Sequence, residues 1–522
     1  MDVAAAAAAS SSSSSESVLM IRLYVGHLLA RWGARMWEFS VALYLIHISP
    51  HSSSLLLAAA YGVVESASTA LFAPFIGHLL NKFSYIQVLQ VWLLTQNVSF
   101  VVAGGAVVVV LVYAQYMSAN YVAFISLVIV INLTGAVGML STLAGTILIE
   151  REWVVVISES EEQPPGVLTK MNSIVRRIDL SSKLFAPVVS GFIISFASLT
   201  ASAITLILWN VLSVCLQYWL FTSVYNGFPR LREISQQRAE GGASASVDLE
   251  KQSLFIDSET DHEQRLKNSS KGEREGVDEK LLNNLPYIAA WRLYIKQDVV
   301  LPGVALAFLF YNVLSFGSLM TASLEWQGVA TYVIGIGRGV SAIMGIAATF
   351  VYPVLESRIG TLRTGLWSIW SQWSCLLVCV GSAFVKNEVV AAYMLMGGVA
   401  SSRLGLWVFD MCVLQQMQDE VAECDRCIVG GVQSSLQSVM DLMTYIMGII
   451  ISNPQDFWKL ITTSFVVVTV AATVYVVHVY RLRSHLFHWD KLLPPPLCSI
   501  YMGMEYKNHN NKPLRGWTNM ND

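Results

Sequence analysis

Charged and polar side chains recur at helical spacing inside an apolar stretch near the start of the chain. On a helix that turns about 100° per residue, four of them lie within an arc of about 80°: His27, Arg31, Arg35 and Glu38. Ionisable groups are costly against lipid, so in membrane helices they usually face a cavity or a partner. We interpret this face as the wall of an aqueous substrate path, or alternatively as a set of salt bridges to neighbouring helices.

Two later apolar stretches carry faces of the same kind. The fifth stretch places four polar residues on one side, namely Asn172, Arg176, Asp179 and Lys183. The eleventh places five on one side, namely Arg426, Gln433, Gln437, Asp441 and Thr444. Opposite charges at the mouth of a helix bundle suit a gate that forms in one conformation and breaks in another, although static pairs would give the same pattern. Other polar candidates within apolar stretches are Glu65, His78, Glu325, Arg338, Arg403 and Asp410.

Motifs of catalysis and of nucleotide binding are missing from the sequence. There is no G-x-S-x-G, no Walker phosphate loop and no H-E-x-x-H. Movement of a substrate would therefore have to be driven by gradients rather than by ATP. Cys424 and Cys427 form a C-x-x-C, but a zinc site needs a second ligand pair, which the sequence lacks. We expect a protein that is not an enzyme, holds no cofactor and binds no nucleic acid.

The elements that must position these faces are twelve apolar stretches, six on each side of a charged insert. The 522 residues are 54% hydrophobic and only 13% charged, whereas a soluble domain is about one quarter charged. Backbone polar groups must be paired internally in lipid, so apolar runs of about 20 residues form helices there. The sequence predicts an all-α membrane protein with spans at 21–48, 53–80, 86–113, 119–149, 168–198, 200–224, 298–325, 328–356, 362–385, 389–417, 428–452 and 456–481.

These stretches divide the chain into five parts. They are a disordered Ala/Ser-rich tail (1–20), an N-terminal six-helix half (21–224), a charged cytoplasmic loop (225–295), a C-terminal six-helix half (296–485) and a cytoplasmic tail (486–522). The connections SPHSSS, AQYMSAN and FASLTA contain no Lys or Arg, whereas basic residues collect on the other side, at Lys82, Arg151, Lys170, Arg358, Arg363, Arg481 and Arg483. By the positive-inside rule, this asymmetry predicts that both termini lie in the cytosol.

Several long segments, taken in order, resemble ferroportin, the solute carrier family 40 of iron exporters, and the plant-type branch most of all. They are RLYVGHLLARWGARMWEFSVALYL, YGVVESAS, TQNVSFVVAGG, MNSIVRRIDLSSKLFAPVVSGFI, GTLRTGLWSIWSQWSCLL and GGVQSSLQSVMDLMTYIMGIIISNP. The resemblance covers nearly all of both predicted halves and leaves out the tails and the central loop. It implies a major facilitator fold, alternating access and export of Fe²⁺, with cobalt, nickel or other divalent metals as further substrates.

The resemblance also carries over site residues, with departures from the animal members. Where those members bind metal through an Asp and a His on the first span, this chain has Ala34 and Glu38; where they use a Cys and a His, it has Ser318 and Thr444. The expected metal ligands are therefore Glu38, Ser318 and Thr444, and such hard donors should hold a divalent ion weakly and leave it partly hydrated. The animal calcium site is matched by Ala34, Gln96, Asn210 and Gln217, which include no carboxylate.

The remaining site residues are expected to form a path and a gate. The expected substrate path comprises His27, Arg31, Arg35, Gln96, Asp179, Asn210, Gln437 and Asp441, and the expected inner gate comprises Glu152, Asn172, Arg176 and Arg426. The animal Cys required for peptide-hormone control is missing, so no such regulator is expected.

Two other functions compete with export of the free metal. A carrier of an organic anion or of a metal chelate such as iron-citrate would use Arg31, Arg35 and Arg176 to attract carboxylates. A membrane receptor or scaffold is disfavoured, because charged faces are buried in several spans. We expect a monomer in the lipid bilayer, with the plasma membrane favoured and the vacuolar membrane as the alternative.

Overall fold

The computed structural model describes residues 2–48, 56–159, 166–238, 286–451 and 456–483, apart from 312, 317–319, 322 and 325–326. These residues are almost entirely helical, and no strand occurs among them. The chain divides after Tyr475, and of the second unit, from Val476 onward, only the end of the last helix is described.

Long helices account for most of the described chain. Before the charged insert they are α1 (Asp2–Ile48), α2 (Leu56–Leu80), α3 (Tyr85–Val112), α4 (Ala114–Ala119), α5 (Tyr121–Thr146), α6 (Val154–Ser158), α7 (Val167–Phe196), α8 (Leu199–Gly227) and α9 (229–238). After it they are α10 (Pro286–Ile295), α11 (Val300–Phe310), α12 (Thr331–Ile359), α13 (Thr361–Ser382), α14 (Glu388–Glu420), α15 (Arg426–Ile450) and α16 (Phe457–Arg483). We call α1–α9 the N-terminal set and α10–α16 the C-terminal set.

Several of these helices are long and apolar enough to cross a membrane. Within the described residues eight qualify, and a ninth span results if α10 and α11, which meet at 109°, are counted as one. The helices α1, α13 and α15 have the length but are too polar to qualify by composition. The chain is a multi-pass helical membrane protein, as predicted, and the count of twelve spans stays a prediction.

Two segments differ from their predicted form, and one predicted span is interrupted. The tail over 1–20, which was expected to be disordered, is helical from Asp2 and forms the first part of α1. Its alanines have the highest helix propensity, and extending an existing helix requires no new nucleus. The loop expected over 225–295 has α9 and α10 at its two ends. The span predicted over 298–325 leaves the helical conformation after Phe310, ahead of a stretch in which Gly, Ser and Asn residues are expected to weaken a helix.

The N-terminal and C-terminal sets approach each other closely where α2 packs against α15. A Cβ atom added at Gly77 would collide with the backbone of Cys427, and one at Gly431 would collide with the backbone of Ala73. The Ser435 hydroxyl donates a hydrogen bond to a backbone carbonyl of α2 in the same seam. Small residues allow such close helix contact in membranes, so these positions hold the two sets together.

A π-helical turn, Ile147–Trp153, joins α5 to α6 and carries Glu150 and Glu152 on buried positions. Such turns occur frequently at functional sites. The Trp153 ring at its end is fully buried and packs edge-on against the Tyr85 ring, with 6.4 Å between centroids. This packing fixes the turn and therefore the places of its two carboxylates.

Candidate functional site

Asp179 on α7 is the centre of a charged network within the N-terminal set. Its carboxylate accepts hydrogen bonds of 2.6 Å from Arg31 Nε and of 2.9 and 3.2 Å from Arg35 Nη2. Arg176 Nη1, on the same helix, lies 4.0 Å from Asp179 Oδ2. Asp179 is only 2% exposed, so one buried carboxylate balances arginines from two helices. The polar faces predicted on the first and fifth spans therefore face each other.

Glu38 extends this network towards an accessible space. Arg35 Nη1 donates a 2.5 Å hydrogen bond to Glu38 Oε2, while the Glu38 side chain stays 53% exposed. Glu65 on α2 and Asp441 on α15 interact electrostatically with Glu38, and Ser66 Oγ lies 3.4 Å from Asp441 Oδ2. Glu38 thus has an ion-pair partner and also an accessible side near two further carboxylates. The sequence indicated Glu65 only as one polar residue among several.

Arg176 connects the N-terminal set to the C-terminal set. Its Nη2 lies 2.5 Å from Oδ2 of Asp410 on α14, and its guanidinium lies 5.5 Å from the centre of the Trp407 ring. Asp410 is 5% exposed, so the ion pair is shielded from water. Asp410 was not among the residues expected at the gate, because no local pattern in α14 shows which helix it faces.

Hydrogen bonds between uncharged side chains also join α7 to α14, at residues of α7 that precede Arg176. Asn172 Nδ2 donates a 2.6 Å bond to Gln418 Oε1, and Gln418 Nε2 donates a 2.6 Å bond to the Glu150 carbonyl oxygen. Thr169 Oγ1 donates a 3.1 Å bond to Gln415 Oε1. All of these side chains are buried. Together with the ion pair they form a closed polar contact between α7 and α14.

Two of the four residues expected at the inner gate, Glu152 and Arg426, are bonded to residues other than Arg176 and Asn172 in this conformation. Arg426 Nη2 instead donates a 3.0 Å hydrogen bond to Glu159 Oε1, just beyond α6. Asn172 is bonded to Gln418 of α14, and Arg176 pairs with Asp410 of the same helix.

Glu152 is fully buried and accepts three hydrogen bonds. The donors are the Tyr85 hydroxyl at 2.9 Å, Arg238 Nη2 at 2.6 Å and the Cys427 thiol at 3.2 Å. Burial lowers the pKa of Arg238, but the Glu152 carboxylate outweighs it and raises the pKa above its usual value. Sequence reasoning missed Arg238, because it lies in the charged insert. The pattern that could have indicated it is the segment FPRLREISQQR, which follows the sixth predicted span, mixes apolar and polar residues and ends at Arg238.

Two of the three expected metal ligands, Glu38 and Thr444, lie among the described residues. Ser318 lies outside them. The Thr444 hydroxyl donates a 3.3 Å hydrogen bond to the Met440 carbonyl of its own helix. Nowhere in the described chain do three His, Cys, Asp or Glu side chains lie close enough together to hold a metal ion. Of the two expected ligands that are described, Glu38 is the one that offers a carboxylate, and its side chain is accessible in this conformation.

The other expected path residues lie at different depths. His27 and Gln96 line one small pocket, and His27 Nε2 lies 3.8 Å from Glu150 Oε1. The Gln96 carbonyl oxygen accepts a bond from a neighbouring indole, and Asn210 donates to a carbonyl of its own helix. Gln437 is half-buried on α15. The oxygen of Gln96 that could face a cation is thus already bonded within the protein.

Comparison with known proteins identifies the family and the fold. The Ferroportin1 family model matches residues 17–468. Solute carrier family 40 member 2 of Arabidopsis thaliana is 55% identical over 91% of this chain and 92% of its own. A bacterial homologue of the iron transporter ferroportin, solved in an outward-facing state, has 21% identity, 88% coverage of this chain, 99% of its own and a TM-score of 0.70.

A more distant structure gives the wider fold. The proton:xylose symporter XylE, a major facilitator superfamily protein, has 12% identity, a TM-score of 0.60 and coverage of 90% of this chain and 96% of its own. The predicted major facilitator fold is thus confirmed, and these similarities are to transporters rather than to enzymes. Because the family model spans most of the chain and a relative shares more than half of its residues, the protein belongs to the ferroportin family.

Proposed function

We propose that this protein exports Fe²⁺ or a related divalent metal from the cytosol by alternating access. The observation that carries the proposal is the family match over residues 17–468, and the charged network inside the helices supports it. Buried ionisable groups in membrane helices mark ion and substrate pathways. Iron homeostasis is the process that such an exporter would serve, and cobalt and nickel are candidate further substrates.

The contacts between α7 and α14 supply a gate for this mechanism. The Arg176–Asp410 ion pair and the Asn172–Gln418 hydrogen bonds join the two sets at one end of the bundle. Alternating access in such folds moves one bundle against the other around a central site. We infer that this end is cytosolic and closed here, and that the same contacts break when the cytosolic side opens.

The metal path in this proposal passes Glu38. Its carboxylate is accessible, and the carboxyl groups of Glu65 and Asp441 lie near enough to interact with it. Carboxylate, hydroxyl and water are ligands for the harder divalent ions, so we infer a partly hydrated ion held by Glu38, Ser318 and Thr444. Three protein ligands need not be in place in the state described, because a carrier forms its site in only part of its cycle.

The arginines bear on the rival substrate, an organic anion or iron-citrate. Arg31 and Arg35 both donate to Asp179, and Arg176 pairs with Asp410. Arginines that already balance buried carboxylates have little remaining attraction for an anionic chelate. This pairing favours the free cation.

The substitution Glu38→Gln tests the proposed path. It keeps the size of the side chain and removes its charge, so we expect Fe²⁺ efflux per molecule to fall about tenfold or more, whereas Ser318→Ala, which removes only a neutral hydroxyl, should cost much less. Efflux would be measured from proteoliposomes loaded with Fe²⁺ or with iron-citrate, normalised to reconstituted protein.

Two results would count against this assignment. Equal efflux by Glu38→Gln and Ser318→Ala would make Glu38 a structural partner of Arg35 only. Transport of iron-citrate in preference to Fe²⁺ by the unsubstituted protein would replace the cation by the chelate as substrate.

The orientation is a separate prediction from the charge of the short loops. We propose that both termini and the 225–295 insert lie on the cytosolic side of the membrane. The membrane proposed is the plasma membrane, with the vacuolar membrane as the alternative. Cysteines introduced by Ser53→Cys, which lies outside the described residues, and by Ser118→Cys should react with an impermeant maleimide on intact cells that carry the protein at their surface. Labelling of a cysteine in the insert, with none at these two positions, would reverse the topology.

A further inference from the structure

The helix α9, which follows the last span of the N-terminal set, packs into the core of the protein. Leu231 and Ile234 are 0% and 4% exposed, and Phe228 just before the helix is also buried. They join the apolar cluster around Trp153. The Ser235 hydroxyl accepts a 3.0 Å hydrogen bond from the first backbone N–H of α3. This part of the charged insert is therefore built into the structure.

Arg238, the last described residue of α9, reaches both sets of helices. Its Nη2 lies 2.6 Å from Glu152 Oε2, and its guanidinium lies 4.8 Å from the centre of the Tyr85 ring; both partners belong to the N-terminal set. It also donates to the Cys427 sulfur at 3.8 Å and to the Glu423 carbonyl at 3.4 Å, both in the C-terminal set. The Arg238 side chain is 9% exposed.

The Cys427 thiol completes a ring of contacts. It donates to Glu152 Oε1 at 3.2 Å, so the buried carboxylate is itself shared between the two sets. Separation of the sets would take Cys427 and Glu423 away from Arg238 and would admit water to Glu152. A buried carboxylate needs its counter-charge, whereas a hydrated one does not. The ion pair therefore stabilises the closed arrangement more than an open one.

We propose that Arg238 is a positioning residue that holds the gate closed by bridging Glu152 to the α14–α15 connection. We call this residue the latch, and we call the end of the helix bundle where it lies the Glu152 end. The proposal rests on the alternating access proposed above and adds a residue of the charged insert to the gate.

The test is the reactivity of a buried cysteine at a distance from Arg238. Thr169 is 3% exposed, and its hydroxyl bonds across the sets to Gln415 of α14. In the full-length protein carrying Thr169→Cys, purified in detergent, modification of this cysteine and of Cys427 by a maleimide would be followed by mass spectrometry of the separate peptides. We expect Arg238→Ala to speed both modifications about tenfold or more, and Arg238→Lys to restore most of the protection.

A matched control and a second variant keep the test decisive. Arg230→Ala removes an arginine of the same helix, 57% exposed and 3.9 Å from Glu233, and should change neither rate. Arg238→Gln serves if Arg238→Ala does not fold. Faster modification of Cys427 alone would mean that Arg238 only shields that thiol, and unchanged rates would remove any role in the gate; either result overturns the latch. These rates need no metal, so a working latch in a protein that does not carry Fe²⁺ would overturn only the proposed substrate.

Discussion

Asp179→Asn is expected to lower the free energy of unfolding by about 3–5 kcal/mol, because a buried ion-pair partner is removed while the opposite charges stay. Asp179 accepts hydrogen bonds from Arg31 and Arg35 and has Arg176 within 4.0 Å. No other carboxylate in the described chain contacts more than one arginine of α1. The measurement is the temperature at which heating removes the monodisperse peak of the detergent-purified protein in size-exclusion chromatography. This temperature should be lower for Asp179→Asn than for the unsubstituted protein.

The matched control is Asp456→Asn, which breaks an exposed pair with Lys459 at 2.8 Å. Exposed pairs contribute about 0–1 kcal/mol, so this variant should unfold close to the unsubstituted protein. The double substitution Asp179→Asn with Arg31→Met should recover part of the loss, since it removes one of the uncompensated charges. Equal unfolding temperatures for Asp179→Asn and Asp456→Asn would show that the network does not hold α1 against α7.

Arg176→Ala is expected to shift the carrier towards the state that is open at the Glu152 end and to slow Fe²⁺ efflux about tenfold or more. The substitution leaves Asp410 buried without its cation, at a cost of several kcal/mol, which is enough to reverse a two-state equilibrium. The opening would be measured as faster maleimide modification of a cysteine introduced by Thr169→Cys. Efflux of Fe²⁺ would be measured in proteoliposomes made from the same protein preparation.

A second substitution separates the gate from a simple loss of packing. In Arg176→Ala with Asp410→Asn, neither charge remains, so the closed state should regain protection relative to Arg176→Ala alone. If both variants show the same rate of modification as the unsubstituted chain, and efflux is unchanged, the ion pair is not part of a gate. If the double variant is as open as the single one, the loss of the Arg176 contact with Trp407, not the orphan charge, opens the protein.

The sequence by itself determined the class of the protein and the positions of most helices. Lipid offers no partner for backbone groups, so long apolar runs had to be helices wherever they occurred. The predicted spans at 86–113 and 168–198 differ from α3 and α7 by at most two residues at either end. Helical periodicity also placed Arg31 and Arg35 on one polar face and Asp179 on another, because local spacing decides which residues share a face.

Only the tertiary structure decided which of these faces meet. Arg176 pairs with Asp410 and Glu152 with Arg238, across sequence separations that no periodicity describes. The insert was expected to be a charged loop, yet Leu231 and Ile234 of α9 are buried in the apolar cluster around Trp153. Sequence spacing determines the face of a helix, but the partner of a buried charge depends on how distant helices pack, and that packing exists only in the folded chain.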